Sequence, residues 1–144
     1  MNKQETDRLQ RIVDANLNRL KEGLRLLEDI QRYFFDRSEY SYRFKELRHS
    51  LQAAYDVERL QYRDIENDVA KETTESELKR SRISDLMIAN FSRAQESSRV
   101  LEEVFKLLDP KLSPLFKNIR YELYALEKEL LGLPRKKSTS NSSD

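Results

Sequence analysis

The chain has 144 residues, which suffice for one domain with one core and are too few for a (β/α)8 barrel of about 250 residues. Its 27 Lys and Arg nearly balance its 26 Asp and Glu, which argues against nucleic acid or a membrane as the main partner. The chain has no cysteine, two glycines and three prolines, which excludes disulfides and thiolate chemistry and leaves little material for glycine-rich phosphate-binding loops.

Apolar residues with helical spacing predict two helices in the first half of the chain. A stripe with steps of three and four residues runs from Leu9 to Phe34 and predicts helix one over residues 6–35. After a polar turn, a second stripe begins at Phe44 and predicts helix two over residues 44–60.

A long connection separates the two halves. Residues 62–82 hold few apolar side chains, and the pattern Thr74-x-x-Glu77 predicts that a short helix begins within them. Connections of this length are more often functional than decorative. We therefore expect this segment to contribute to function.

Two further helices are predicted in the second half. Helix three covers residues 86–108 and ends at Asp109, because the residue before a proline is disfavoured in the α region. Helix four begins with Ser113 as its N-cap and a proline in its first turn, and it ends at Gly132.

The two halves of the chain repeat each other. Residues 14–29 align with residues 88–103 without a gap, and both segments read A-N-x-x-R-x-x-E-x-x-R-x-L-E. Helices two and four share the pattern F-K-x-x-R-x-x-L. We therefore predict an all-α fold in which two duplicated helical hairpins, over residues 6–61 and 83–132, form a four-helix bundle with an approximate two-fold axis.

One domain and one tail are expected. Residues 1–133 form the helical domain, and residues 134–144 form a disordered polar tail. The start of the chain is polar, and no apolar run approaches the ~18 residues of a membrane span. Together with the absence of cysteine, this favours a cytoplasmic protein.

Polar side chains recur within the helix faces. At about 100° per residue, Asn16, Asn90 and Arg93 fall within the apolar stripes, and Arg19 falls at an edge. A buried polar group without a partner costs several kcal/mol, so these residues need hydrogen bonds or a wet pocket. Duplicated packing alone would preserve apolar residues, so we interpret the repeat as functional.

These residues can bind a phosphorylated heterocycle, because an Asn reads an amide or amine edge and Arg suits phosphate. The candidate substrate-binding residues are Asn16, Arg19, Glu22, Arg48, Asn90, Arg93, Glu96 and Arg120. Two alternatives remain. Glu22, Arg25, Glu96 and Arg99 turn outward and suit an exposed ladder of salt bridges, and the Asn and Arg residues could form a structural network that fixes helix register.

Acidic residues in the connection suggest a metal site. Arg63, Asp64 and Asp68 place one guanidinium and two carboxylates within six residues. Two carboxylates can hold Mg²⁺ while an Arg binds phosphate, and phosphoryl-transfer sites use these groups. The alternative is that these acids are simply solvated. His49 is the only histidine, which excludes the usual di-iron site of a helical bundle.

Four motifs carry a resemblance to a known family. They read DANLNRLKEGLRLLEDIQRY, RDIENDV, ANFSRAQESSRVLEEVFKLL and FKNIRYELYALEKEL, and they occur in order between residues 12 and 131. With them, the chain resembles the N-terminal domain of two-part thiamine-phosphate synthases. That domain is proposed to be an alternative hydroxymethylpyrimidine-phosphate kinase, and similar single-domain proteins are often named thiamine-phosphate pyrophosphorylase.

The resemblance implies phosphorylation of the pyrimidine monophosphate by ATP with Mg²⁺. It implies that Arg63, Asp64 and Asp68 are catalytic and that the two acids hold the metal. It also implies that the repeated motif residues bind substrate, including Glu28 and its counterpart Glu102.

Two other classes of function remain open. The chain could be a non-catalytic module that binds the pyrimidine phosphate or docks on a separate thiamine-phosphate synthase. It could instead be a purely structural or oligomer-forming bundle. A homodimer that supplies residues across the two-fold axis is compatible with each of these readings.

Overall fold

The computed structural model describes residues 1–69 and 82–132, which form helices and turns and contain no strand. The four main helices are α1 (Lys3–Asp29), α2 (Ser38–Ser50), α3 (Ile83–Leu108) and α4 (Ser113–Leu131). The predicted all-α fold is confirmed. The short helix predicted at Thr74 and the predicted tail lie outside the described residues.

The two hairpins pack together through their first helices. α1 lies against α3, while α2 packs on α1 and α4 packs on α3. Buried phenylalanine rings fill the core: Phe44 lies 5.8 Å from Phe91, and Phe105 stacks on Phe116 at 5.4 Å between ring centroids. The apolar stripes predicted from the sequence therefore face one another.

α1 begins earlier than predicted and ends in a π-helical turn. The side chain of Asn2 accepts a hydrogen bond from the Glu5 backbone N–H, and the Glu5 carboxylate accepts one from the Asn2 backbone N–H, which starts the helix at Lys3. At its end, Ile30–Phe34 adopts π-helical hydrogen bonding. The wider turn shifts the helical periodicity, so Phe34 is 61% exposed and lies outside the core that the sequence predicted for it.

The prediction of one continuous second helix to residue 60 is wrong. α2 ends at Ser50 and is followed by two 3₁₀ turns, Leu51–Ala54 and Val57–Tyr62. Between them the backbone of Tyr55 and Asp56 is extended, and the Asp56 carboxylate accepts from the Glu58 N–H at 3.0 Å. An aspartate that caps a new turn competes with continuation of the old one.

The predicted N-cap of helix four is also wrong. A 3₁₀ turn, Pro110–Leu112, begins at Asp109 and leads directly into α4, so Ser113 already has helical backbone angles. Its hydroxyl donates instead to the Glu102 carbonyl at 2.8 Å. The Asp109 carboxylate accepts from the Lys111 N–H and thus caps the preceding turn. The predicted end of helix three at Asp109 is confirmed.

Gly23 marks a close approach of α1 to α3, and its substitution is expected to stabilise the protein. A Cβ at this position would lie 3.4 Å from the Asn90 carbonyl oxygen and 3.5 Å from the Ala94 Cβ, which is ordinary contact. Because an interior helical glycine costs about 0.5–1 kcal/mol relative to alanine, Gly23→Ala should raise the free energy of unfolding by about that amount in urea denaturation. Gly23→Leu has no room for its side chain and should lower it.

Candidate functional site

A cavity lies between α1 and the segment that follows the second 3₁₀ turn. It has a volume of about 640 Å³, and we call it the Asn16 cavity. Its polar lining is Arg8, Arg11, Asp14, Asn16, Asn18, Arg19, Arg63, Asp64 and Asp68. The structure thus brings together the start of the first repeated motif and the connecting motif, which are far apart in the sequence.

Asn16 is fixed by its own helix. It is 5% exposed, and its Nδ2 donates to the Ile12 carbonyl at 2.9 Å. Its Oδ1 accepts a longer hydrogen bond of 3.4 Å from Arg19 Nη1. The predicted need for hydrogen bonds is met in this way, and the second Nδ2 hydrogen can still serve a ligand in the cavity.

Arg63 forms a two-point ion pair across the cavity wall. Its Nε and Nη2 each donate to a carboxylate oxygen of Asp14 at 2.7 Å. The bond raises the pKa of Arg63 above its usual value. This paired geometry fastens the connection to α1, because two parallel hydrogen bonds fix both position and orientation.

Asp64 is held ionised by its neighbour Asn67. The Asn67 side chain donates to Asp64 Oδ2 at 2.8 Å and its backbone N–H donates to Oδ1 at 3.1 Å. These two hydrogen bonds, the side-chain one foremost, lower the pKa of Asp64 below its usual range. The carboxylate is therefore negatively charged at neutral pH.

The second repeat is placed differently. Asn90 repeats the geometry of Asn16, because its Nδ2 donates to the Leu86 carbonyl at 2.9 Å. Arg93, which the sequence placed within the stripe, is exposed because Ala94 and not Arg93 faces α1. Asn90, Arg93 and Glu96 do not line the Asn16 cavity.

Arg48 and Arg120, predicted to bind substrate, each hold a buried glutamate. Arg48 donates to Glu28 at 2.8 and 3.3 Å, and Arg120 donates to Glu102 at 2.9 Å. The first pair joins α2 to α1 and the second joins α4 to α3, so the same contact occurs once in each hairpin. For Glu102, burial raises the pKa, but Arg120 and Arg99 outweigh it and hold the pKa below its usual value.

The residues predicted to point outward are exposed, and the two arginines among them form salt bridges along their own helices, although not with Glu22 or Glu96. Glu22, Arg25, Glu96 and Arg99 are all exposed. Arg25 pairs with Asp29, and Arg99 pairs with Glu103, each at 3.7 Å along its own helix. Surface pairs of this kind contribute little to stability.

The Asn16 cavity also contains residues that the sequence interpretation missed. Arg8, Arg11 and Asp14 all line it. Arg8, Arg11 and Arg19 share one face of α1 through steps of three and eight residues, and this spacing could have identified them. No local signal identifies Asp14, whose partner Arg63 is 49 residues away.

Asp64 and Asp68 fit a metal ion that binds together with substrate phosphates better than a metal ion that the protein holds by itself. Within residues 1–69 and 82–132, no group of three or more acidic or histidine side chains could hold a metal ion. Asp64 and Asp68 nevertheless line one cavity. Mg²⁺ is commonly bound by one or two carboxylates together with substrate phosphates and water, so the two residues fit that ion.

Comparison with known proteins supports the resemblance predicted from the four motifs. The model of the ThiD2 family matches residues 11–129. Proteins named thiamine-phosphate synthase are similar to this chain. The one from Synechocystis sp. is 42% identical over 123 residues, which is 85% of this chain and 36% of that protein. The one from Nostoc punctiforme is 38% identical over 126 residues, covering 87% and 36%.

A relative of lower sequence identity matches this chain over a similar length. The thiamine-phosphate synthase of Prochlorococcus marinus subsp. pastoris is 34% identical over 131 residues, covering 90% of this chain and 37% of that protein. This chain thus spans about a third of the length of these relatives. No solved structure matches it. In the described part of the chain, no helix has the length and hydropathy needed to cross a bilayer.

Proposed function

Because this chain belongs to the ThiD2 family, we propose that it acts in thiamine biosynthesis and phosphorylates hydroxymethylpyrimidine phosphate to the diphosphate with ATP. The observation that supports this most is the Asn16 cavity. It combines a fixed amide, several guanidinium groups and two carboxylates of the connecting motif. That set of groups suits a phosphorylated heterocycle and a second, transferring phosphate.

The reaction requires little covalent chemistry from the protein. A phosphate oxygen of the monophosphate attacks the γ-phosphorus of ATP, the bond from that phosphorus to the bridging oxygen breaks, and ADP leaves with the bonding electrons. The second pKa of a phosphate monoester is about 6, so the attacking group is already ionised at pH 7. The protein therefore needs no general base and has to position phosphates and offset their charge.

Seven side chains of the cavity have roles in this proposal. The amide of Asn16 contacts the heterocycle, while Arg8, Arg11 and Arg19 contact its phosphate. Asp64 and Asp68 would hold Mg²⁺ together with phosphate oxygens, and the ion would neutralise charge on the transferring group. Arg63 fixes the connecting segment against α1 and faces the same cavity.

Calorimetric titration with hydroxymethylpyrimidine phosphate tests this assignment. We expect binding by the full chain, and a Kd about tenfold higher for Arg19→Ala, because one charge-assisted hydrogen bond is lost. The matched control is Arg93→Ala, the same change at the repeat counterpart on the exposed face of α3, which should leave the Kd unchanged. Equal weakening by both variants, or no binding at all, would contradict the assignment of the site to the first repeat.

A non-catalytic module is the second candidate, and two contacts favour it. Arg63 is occupied by Asp14, and Asp64 is occupied by Asn67, so both groups already have protein partners. Such a module would bind the pyrimidine phosphate, or dock on a separate thiamine-phosphate synthase, without turnover. Pyrimidine binding with no release of ADP in the presence of ATP and Mg²⁺ would favour this candidate over the kinase.

A further inference from the structure

A second cavity lies directly beside the Asn16 cavity. It is bounded by α1, the end of α2 and the two 3₁₀ turns, has a volume of about 340 Å³, and is called here the Arg59 cavity. Asp14, Asn18 and Arg63 line both cavities. The Arg63–Asp14 ion pair therefore forms part of the wall between two neighbouring spaces.

Arg59 is a buried cation that forms no salt bridge with a carboxylate among the described residues. Only 8% of it is exposed. Its guanidinium donates to Gln10 Oε1 at 2.8 Å and to the Ala54 carbonyl at 2.9 Å, and both acceptors are neutral. It also lies 5.9 Å from the centre of the Phe105 ring. Burial lowers the pKa of Arg59, and the more distant carboxylates of Asp56 and Asp14 offset only part of that effect.

A buried Arg is normally paired with an acid, because removing its charge from water is costly. Two half-buried arginines of this bundle follow that rule, since Arg48 holds Glu28 and Arg120 holds Glu102. Arg59 departs from it while lining a cavity. The simplest compensation is an anion that enters the cavity from outside the protein.

The remaining lining indicates what kind of anion fits. Lys21, an exposed residue of α1, adds a second cation that is suited to phosphate. Of the carboxylates, Asp14 is taken by Arg63, and Asp56 accepts from the Glu58 N–H. Tyr55 stands at the cavity with 66% of its surface exposed, and a base can stack on such a ring.

We propose that the Arg59 cavity binds the phosphate chain of a nucleoside triphosphate, with Arg59 and Lys21 as its cationic contacts and Tyr55 against the base. The choice of a nucleotide rests on the proposed function, whereas the anion site rests on Arg59 and Lys21. With the pyrimidine phosphate in the Asn16 cavity, donor and acceptor phosphates lie on the two sides of Arg63. The attacking oxygen and the γ-phosphorus can then meet at that residue without a glycine-rich loop.

Calorimetry of the full chain with a non-hydrolysable ATP analogue and Mg²⁺ tests the site. We expect Lys21→Gln to raise the Kd of the analogue about tenfold and to leave the Kd of the pyrimidine phosphate unchanged. Lys117→Gln is the matched control, because Lys117 is exposed on α4 and lines neither cavity. Unchanged nucleotide binding by Lys21→Gln would overturn the proposal. If the unaltered chain binds the ATP analogue but not the pyrimidine phosphate, that result would instead count against the proposed function.

Two further measurements define the ligand. Arg59→Lys, which keeps the charge but not the planar group, should weaken the analogue about tenfold while the thermal unfolding transition remains cooperative. Tyr55→Ala should weaken the analogue and leave tripolyphosphate binding unchanged, since only the nucleotide has a base. If tripolyphosphate binds as tightly as the analogue and Tyr55→Ala affects neither, the nucleotide assignment is wrong.

Discussion

Arg48→Met is expected to lower the free energy of unfolding by about 3 kcal/mol, because it leaves Glu28 buried without its partner. The Glu28 side chain is 3% exposed, and its hydrogen bonds among the described residues come from Arg48. The repeat offers a graded comparison. Arg120→Met should cost less, because Glu102 keeps a hydrogen bond of 3.2 Å from Arg99. Urea denaturation at neutral pH measures both losses.

Two variants separate loss of the ion pair from loss of packing. Arg25→Met removes a guanidinium of α1, the helix that carries Glu28; the Arg25 side chain is 55% exposed, and its loss should change stability by less than about 0.5 kcal/mol. The double variant Glu28→Leu with Arg48→Met replaces both charges with apolar groups and should recover most of the stability. If Arg48→Met and Arg25→Met cost the same, the Glu28 pair is not an energetically important contact.

In the proposed kinase reaction, Asp64→Asn is expected to lower kcat for formation of the diphosphate about a hundredfold, which is ~2.7 kcal/mol of transition-state stabilisation. The change removes the charge that would hold Mg²⁺ beside the phosphates. It keeps the shape of the side chain, and an amide oxygen can still accept from the Asn67 N–H. The helical fold should therefore be unaffected. Release of ADP with the pyrimidine phosphate as acceptor measures the rate.

Dependence on Mg²⁺ distinguishes a metal role from a general weakening. Asp64→Asn should raise the Mg²⁺ concentration that gives half-maximal rate and should leave binding of the pyrimidine phosphate without metal nearly unchanged. Glu66→Gln is the matched control, because Glu66 is exposed in the same segment and does not line the Asn16 cavity. Full activity of Asp64→Asn at limiting Mg²⁺ would remove Asp64 from the metal site.

The repeated polar residues serve two different purposes. Glu28 with Arg48, and Glu102 with Arg120, join the helices of each hairpin and occur in both repeats. Asn16 and the exposed Arg19 line a cavity that the connecting motif completes, whereas Arg93, which is also exposed, does not line it. The repeat therefore records a duplicated structural contact, and in the described residues the connecting segment adds to the first copy only.

The sequence by itself determined the four main helices, the duplication of the helical hairpin and the burial of Asn16. These follow from the spacing of residues along one helix, and helical spacing is a local property that any single stretch of chain displays. It also identified the connecting motif as polar and acidic. It failed at Ser50 and Phe34, where a 3₁₀ turn and a π-helical turn replace the α-helical period.

Only the tertiary structure decided which charges meet. The pairing of Arg63 with Asp14, the pairing of Arg48 with Glu28 and the burial of Arg59 without an acid all depend on how the helices are rotated and crossed. Any of the many exposed-looking Asp and Glu residues could have been a partner on sequence grounds. Long polar side chains reach several neighbours, and the packing of the apolar stripes selects among them.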